Sequence, residues 1–357
     1  MHTDPEKVAR LDEYLAGTDC EAVWFARPSN FAWLTGASNV VDREARVGVA
    51  AAGYDGFFHV LTSNNEAPRF RNEVLDDVPV ETFPWYEQSL AEAIAERSST
   101  PFEADFEVPD AERVAATRLR TPLTEPDIER YRALGHEAAI VLEDVCRTVE
   151  RSDSERSVAA RLEEELSTRG IDTPVLLVGG EERAPNYRHF PPTEAEIGGY
   201  ALVSITAQRD GLHASATRTI ALDPPDWLAT RHEAAMQVEA AAIAATQRLA
   251  EEGGTASDVF RAMQDAYAAV GHPDEWARHH QGGATGFAGR EWKATPDGDA
   301  AIEAPMAYAW NPTVQGAKSE DTVLIDDGLE TLTATGDWPT HEIDVDDETI
   351  VRHDLGP

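Results

Sequence analysis

A pair of helices followed by strands occurs twice after residue 123, and this repetition constrains the fold more than any other feature. Thr124-Glu125-Pro126-Asp127 begins the first helix, because Thr with an acidic residue three places later is a variant capping box and Pro favours the first turn. The first set continues with a helix from Ser154 and with strands at 175–180, 200–206 and 211–222. The second set has helices at about 226–252 and 257–270 and strands at 306–310, 322–326 and 329–333. These two sets predict two similar halves that face each other, without an evident sequence period.

The first 120 residues have a different organisation, in which short helices alternate with β-prone segments. Strands are predicted at EAVWFA, RVGVAAAG, GFFHVLTS, FEADFEVP and RVAATRLR, the last covering residues 113–120. Strands mixed with helices indicate an α/β unit. We therefore predict two domains, residues 1–120 and 121–357.

The charge is strongly acidic and spread along the whole chain, with a formal net charge of −36 and lysine only at positions 7, 293 and 318. A diffuse acidic surface that uses Arg in place of Lys suits a salt-rich cytoplasm, because salt screens self-repulsion. The alternative is a surface that binds a basic partner protein. Nucleic-acid binding is not expected, because a surface that binds nucleic acid needs an excess of positive charge. Cys20 and Cys146 lack metal-ligand spacing and are expected to be thiols.

The chain has no apolar run of the roughly 18 residues that a membrane span requires. Its first residues, Met1 to Glu6, are polar and lack the apolar core of a signal peptide. The sequence therefore predicts a soluble, cytoplasmic protein without a membrane partner.

Four segments resemble the superfamily of methionine aminopeptidase, Xaa-Pro aminopeptidase, prolidase and creatinase. PSNFAWLTG is similar to its N-terminal domain, and TEPDIERYRALGHEAA to the first helix of its catalytic domain. GLHASATRT and KSEDTVLI resemble two strands of the same superfamily, in matching order and separation. The resemblance implies an α+β pita-bread fold with an N-terminal α/β creatinase-type domain. It also implies a homodimer that acts on a small-molecule or peptide substrate.

Metallopeptidases of this superfamily hold two divalent metals with two Asp, one His and two Glu, and the resemblance places those five ligands on this chain. The corresponding positions are Ser204, Ser215, Gly283, Asn311 and Glu320. Ser and Asn are weak ligands for a divalent ion and Gly offers none, so we expect no dinuclear metal site and no cofactor. An alternative is a single-metal site built from His279, His280 and His213 with Glu320.

Three residues are candidates for catalysis. His189 resembles a superfamily histidine that contacts substrate or transfers protons, and imidazole suits proton transfer near neutral pH. Glu320 is the one inherited metal ligand, and Glu291 follows Arg290 where relatives have an acidic residue after His. The carboxylates are predicted to act as acid and base. The alternatives are an ordinary loop histidine at position 189 and a surface Arg290–Glu291 arrangement.

Four more residues are predicted to bind substrate. His279 and His280 precede the Gly-rich segment, and the amide of Asn311 can both donate and accept hydrogen bonds. Lys318 lies two residues before Glu320 on one strand, so both side chains should share a face. A Lys318–Glu320 pair would then replace the charge of the metal. The alternative is an ordinary ion pair at a strand end.

These residues predict a metal-independent hydrolase of a C–N bond in a small substrate, because creatinase shows that the superfamily can work without metal. Two alternatives stay open: a non-catalytic protein that binds a peptide or metabolite, and an Xaa-Pro aminopeptidase with an altered metal site.

Overall fold

The computed structural model describes residues 4–75, 78–346 and 348–357. Residues 1–3 lie outside the described residues. They belong to the polar segment, Met1 to Glu6, for which no signal peptide is predicted. The chain divides into two compact units, Met1–Pro126 and Asp127–Pro357. In the described ranges, no helix is both long and apolar enough to cross a membrane.

The first unit is a mixed sheet with short helices. Its strands are β1 (Ala22–Phe25), β2 (Ala50–Tyr54), β3 (Phe58–Ser63), β4 (Val80–Phe83), β5 (Phe102–Ala104) and β6 (Ala111–Arg113). Its helices are α1 (Pro5–Ala16), α2 (Pro28–Thr35), α3 (Ala67–Arg69, continued by a π-helical turn Phe70–Val74), α4 (Leu90–Arg97) and α5 (Ala116–Arg120). The strand order is β4-β3-β2-β1-β5-β6.

The strand predicted at residues 113–120 is wrong over most of its length, because the structure has helix α5 there. Ala116 and Leu119 are both buried and lie three residues apart, which places them on one face of a helix. That face packs against α1 and α2, so tertiary packing decides the conformation of this short segment.

The second unit contains the predicted repetition of a helix pair followed by strands. Its first set is α6 (Glu125–Arg147, which starts at the unit boundary), α7 (Glu155–Thr168), β7 (Asp172–Gly180), β8 (Tyr200–Arg209) and β9 (Leu212–Ala221). Its second set is α8 (Leu228–Glu252), α9 (Ala256–Ala269), a 3₁₀ turn Glu275–Arg278, β10 (Gly282–Thr285), β11 (Met306–Trp310), β12 (Thr313–Val314), β13 (Ala317–Lys318), β14 (Asp321–Ile325) and β15 (Leu329–Thr331). A terminal hairpin of β16 (Thr340–Val345) and β17 (Glu348–His353) completes the unit.

Each half contributes one antiparallel sheet, β7-β8-β9 in the first and β10-β11-β14-β15 in the second. Asp210 and Gly211 both have positive φ and form the tight turn between β8 and β9, as a two-residue hairpin requires. The Ser215 N–H donates to Thr322 Oγ1 at 2.8 Å, and the Thr217 N–H donates to Glu320 O at 2.9 Å. These bonds join β9 to the start of β14, so residues from both halves meet at one place.

Arg218 ties three elements together inside the second unit, and its side chain is fully buried. It donates to Glu143 Oε1 on α6 at 2.9 Å, to Asp321 Oδ1 on β14 at 3.0 Å and to Thr333 O at 2.7 Å. A buried guanidinium needs such partners, because an unpaired charge in the interior is very unfavourable. Asp321 therefore points away from Glu320 and has a structural role.

Candidate functional site

One cavity of about 760 Å³ lies within the second unit, bordered by β7, β8 and β9 and by the segments around residues 189, 280, 290 and 318. Its lining includes most of the residues predicted for the site: His189, His279, His280, Asn311, Lys318 and Glu320. The first and last of them, His189 and Glu320, are more than 100 residues apart in the chain. The hairpin β12–β13 and the junction of β9 with β14 bring the last two of them beside the histidines.

Glu291 is the exception, since it is not part of the cavity lining. Its backbone N–H donates to Ala284 O at 2.8 Å, and the preceding residue, Arg290, faces the cavity instead. The prediction of Glu291 as a catalytic carboxylate is therefore not supported by its position. The sequence analysis assigned no role in the site to Arg290, because spacing alone does not show which of two neighbours faces inward.

Glu320 sits between two cationic side chains at the inner end of the cavity. Lys318 Nζ lies 2.7 Å from Glu320 Oε2, as the predicted ion pair requires, and Arg290 Nη2 lies 3.0 Å from Oε1. Thr217 Oγ1 also donates to Oε2 at 3.0 Å. Burial raises the pKa of Glu320, but Lys318 and then Arg290 more than offset it, and the pKa is lowered to about 2. Glu320 is therefore a fixed anion at neutral pH, which does not suit the predicted acid–base role.

Lowering the pH should remove the stability that Glu320 provides. Because the folded state lowers the pKa of this carboxyl, its contribution is complete above the unfolded pKa of about 4.3 and is lost as the pH falls through about 2. A shift of this size corresponds to about 3 kcal/mol. The difference in unfolding free energy between the parent and Glu320→Gln should therefore shrink between about pH 5 and pH 2, measured by urea denaturation. A difference that does not change with pH would contradict this assignment.

The residues at the positions that the resemblance assigns to metal ligands do not fit two divalent ions. Lys318 Nζ donates to Ser204 Oγ at 3.4 Å, and Arg290 Nη1 donates to Ser215 Oγ at 3.3 Å. Ammonium and guanidinium groups are donors only and repel a metal cation. Both serine hydroxyls at these positions thus accept hydrogen bonds from side-chain cations, and the same cations neutralise Glu320.

Asn311 provides an open acceptor in the same lining. Its side chain is buried, and in the part of the chain that the structure describes, nothing donates to its Oδ1 atom. Buried polar atoms nearly always have a partner, and each exception needs an explanation. The Asn311 amide oxygen is therefore positioned to accept a hydrogen bond from a ligand.

The three predicted histidines form one cluster at the side of the cavity. His189 Nε2 lies 3.4 Å from His279 Nε2, and the rings of His279 and His280 are stacked with centroids 4.5 Å apart. Burial, with a further contribution from Lys318, lowers the pKa of His279 to about 2, and burial with Lys293 lowers the pKa of His280 to about 4. Burial also lowers the pKa of His189. All three imidazoles are therefore neutral near pH 7 and have a nitrogen lone pair available.

Sequence comparison identifies a family, and structural comparison identifies relatives with the same fold. The family model that matches residues 129–327 is that of metallopeptidase family M24. No curated protein sequence matches the chain. The similar structures described next are remote in sequence, so their likeness concerns the fold alone.

Three of those structures illustrate the range. The prolidase from Pyrococcus furiosus is 18% identical, with 90% of this chain and 99% of that chain covered and a TM-score of 0.72. The Xaa-Pro dipeptidase from Bacillus anthracis is 14% identical, with 93% and 98% covered and a TM-score of 0.71. The N-terminal domain of the FACT complex subunit SPT16 from Cicer arietinum is 14% identical, with 93% and 95% covered and a TM-score of 0.67.

Proposed function

Because this chain belongs to metallopeptidase family M24 and has the predicted α+β pita-bread fold, we propose that it hydrolyses a C–N bond in a small anionic substrate without a dinuclear metal centre. The substrate class is a carboxylate-bearing compound of dipeptide size. The proposal goes beyond the family assignment, which establishes a peptidase-like fold. It rests on the chemistry of the cavity.

The observation that carries the proposal is the excess of cations over anions in the lining. Lys318, Arg290 and Lys293 contribute three positive charges, and Glu320 is the one carboxylate beside them in the lining of the described cavity. This local excess occurs in a chain whose net charge is −36. A cleft lined by one sign of charge attracts ligands of the opposite sign, so the cavity favours an anion.

The neutral histidines and Asn311 supply the remaining chemistry. His189 accepts a proton from a water molecule, whose oxygen adds to the carbonyl carbon of the substrate. The oxyanion that forms is stabilised by Lys318 and Arg290, because fixed positive charges act strongly in a partly dry site. The proton then passes from His189 to the leaving nitrogen as the C–N bond breaks. Asn311 Oδ1 accepts a hydrogen bond from a substrate N–H group.

A non-catalytic binding protein is the second candidate, and one observation favours it. Glu320 is ionised and held by two cations, so this lining carboxylate is not free to move a proton near neutral pH. The same cavity would then bind a small anion and release it unchanged. Turnover separates this candidate from the first.

The test compares Ala-Pro with Ala-Pro amide in the presence of EDTA. The amide lacks the carboxylate, so we expect it to bind at least about 10-fold more weakly by calorimetry, a loss of about 1.4 kcal/mol. Product formation from Ala-Pro, followed by mass spectrometry, should persist in EDTA. His189→Gln should lower kcat by about 10²-fold or more with binding little changed, whereas the exposed His341→Gln should match the parent.

Three results would contradict parts of this proposal. Equal binding of the two compounds would reject the anion site. Activity that EDTA abolishes would favour an Xaa-Pro aminopeptidase with an altered metal site. Binding without turnover would favour the second candidate. The homodimer, the cytoplasmic location and the adaptation to salt stay predictions from the sequence and the resemblance.

A further inference from the structure

The histidine cluster has a geometry that proton transfer alone does not require. One ligand nitrogen from each of His189, His279 and His280 can be chosen so that all three lie within 4.8 Å of one another. Two nitrogens bound to one tetrahedral Zn²⁺ at about 2.0–2.1 Å lie about 3.3–3.4 Å apart. His189 Nε2 and His279 Nε2 are 3.4 Å apart, so this pair already has the spacing of two zinc ligands.

The segments that carry the histidines are held by two buried side chains, Gln281 and Tyr267, and by the partly buried Arg188. Gln281 Nε2 donates to His279 O at 2.7 Å and to Trp276 O at 3.1 Å, and Tyr267 fixes the Gln281 amide by donating to its Oε1 at 2.9 Å. Arg188, next to His189, donates to Thr313 Oγ1 at 2.8 Å and forms an ion pair with Glu275, the first residue of the 3₁₀ turn that leads to His279. The three imidazoles are thus brought together by the fold, as preorganised sites require.

Two further ring nitrogens in the cluster lack partners among the described residues. His279 Nδ1 and His280 Nδ1 are buried and accept or donate no hydrogen bond within the described residues. A buried polar atom without a partner indicates a missing ligand or water. The cluster therefore contains ring nitrogens whose hydrogen-bonding capacity the described residues leave unused.

We propose that His189, His279 and His280 form a binding site for one divalent transition-metal ion of the zinc class. Imidazole suits Zn²⁺, Cu²⁺ and Ni²⁺, and three protein ligands leave a fourth position open. The site differs from the superfamily ligand positions at Ser204, Ser215 and Asn311. Lys293 and Lys318 lie nearby and repel the ion, so the fourth ligand is an anion, and the affinity is lower than at a site without those cations.

This inference is independent of the proposed hydrolysis and has a consequence for it. A metal ion occupies the lone pairs that His189 uses to accept a proton. Zinc is therefore expected to inhibit turnover reversibly, and EDTA to relieve the inhibition. If the protein proves to be a binding protein without turnover, the metal site is still measured by binding alone.

The experiment titrates EDTA-treated, dialysed full-length protein with ZnCl₂ by calorimetry, and with CoCl₂ by visible absorption. We expect one ion per chain and the intense d–d bands of four-coordinate Co²⁺ bound by nitrogen. Magnesium at millimolar concentration is included, so that weak carboxylate sites on the acidic surface are occupied. Neither readout depends on substrate.

Three single substitutions test the ligands: His189→Gln, His279→Gln and His280→Gln. Each should weaken zinc binding by at least about 100-fold and remove the cobalt bands, whereas His341→Gln should leave both unchanged. His189 is exposed, so its substitution tests the site without a cost to folding, and thermal melts check the other two. A stoichiometry near zero would overturn the proposal. So would zinc binding and cobalt spectra in His189→Gln that equal those of the parent.

Discussion

Replacing Arg218 with alanine is expected to destabilise the protein by about 5 kcal/mol, the largest effect of any substitution considered for this chain. The change leaves Glu143 and Asp321 without their shared cation, and removal of one partner from a buried ion pair typically costs about 3–5 kcal/mol. The bond to Thr333 O is lost as well, and its orphaned carbonyl adds about 1 kcal/mol. Urea denaturation at fixed salt concentration measures the change in unfolding free energy.

Arg218→Lys covers the case in which the alanine variant does not fold. Lysine keeps the charge but not the planar fork that contacts Glu143, Asp321 and Thr333 together, so its cost should be intermediate. The control is Arg156→Ala, which breaks an ion pair to Glu194 with both side chains mostly exposed, 63% and 71%. That variant should change the unfolding free energy by less than about 1 kcal/mol. A loss at Arg218 no larger than the loss at Arg156 would contradict the role of Arg218 as a buried tether.

Replacing Lys318 with methionine is expected to have the second largest effect, and to alter both stability and ligand binding. Glu320 Oε2 loses the Lys318 ammonium, which lies 2.7 Å away. The Glu320 side chain is only 5% exposed, so water cannot replace this partner fully. Arg290 keeps its contact with the other carboxylate oxygen, so the cost should fall at the lower end of the buried-pair range, about 3 kcal/mol. Binding of Ala-Pro should weaken by about 10-fold or more, because a cation has left the cavity.

The double variant Lys318→Met with Glu320→Gln tests whether the loss of stability in Lys318→Met comes from the unpaired carboxylate of Glu320. Removing the carboxylate along with the ammonium leaves no uncompensated anion, so the double variant should regain at least about 1 kcal/mol of the loss seen for Lys318→Met. Lys293→Met is the matched control, since this exposed lysine lines the same cavity without an ion pair to Glu320 among the residues that the structure describes. It should weaken Ala-Pro binding and leave the unfolding free energy within about 0.5 kcal/mol. A double variant no more stable than Lys318→Met would reject the paired role of Lys318 and Glu320.

The sequence predicted the four long helices of the second unit well, because each spans 14 residues or more. Ser154 caps α7 by accepting from the Ser157 N–H at 3.1 Å, and Thr255 with Asp258 forms the capping box of α9. The short segments of the first unit were harder to predict. The helix at Ala116–Arg120 has β-branched neighbours and little length, so contacts with other elements determine its conformation.

The candidate site was also predictable in part. The replacement of acidic ligands by Ser204, Ser215 and Asn311 can be read from the resemblance, and the Lys318–Glu320 pair follows from their separation by two residues. The role of Arg290 was missed because its partner Glu320 lies 30 residues away in the chain. Glu291 was favoured over Arg290 because a local motif carries no information about which neighbour faces a cavity.

The amino-acid sequence by itself determined the family and the repeated helix pairs, because both are carried by local patterns; the loss of metal-binding carboxylates stays a prediction from the resemblance. Only the tertiary structure decided that Arg290 and Lys318 hold Glu320 from two sides, that no described residue donates to Asn311 Oδ1, and that His189 meets His279 and His280. Those contacts join residues that are distant along the chain. Their geometry depends on how strands and loops approach in space, which sequence periodicity does not specify.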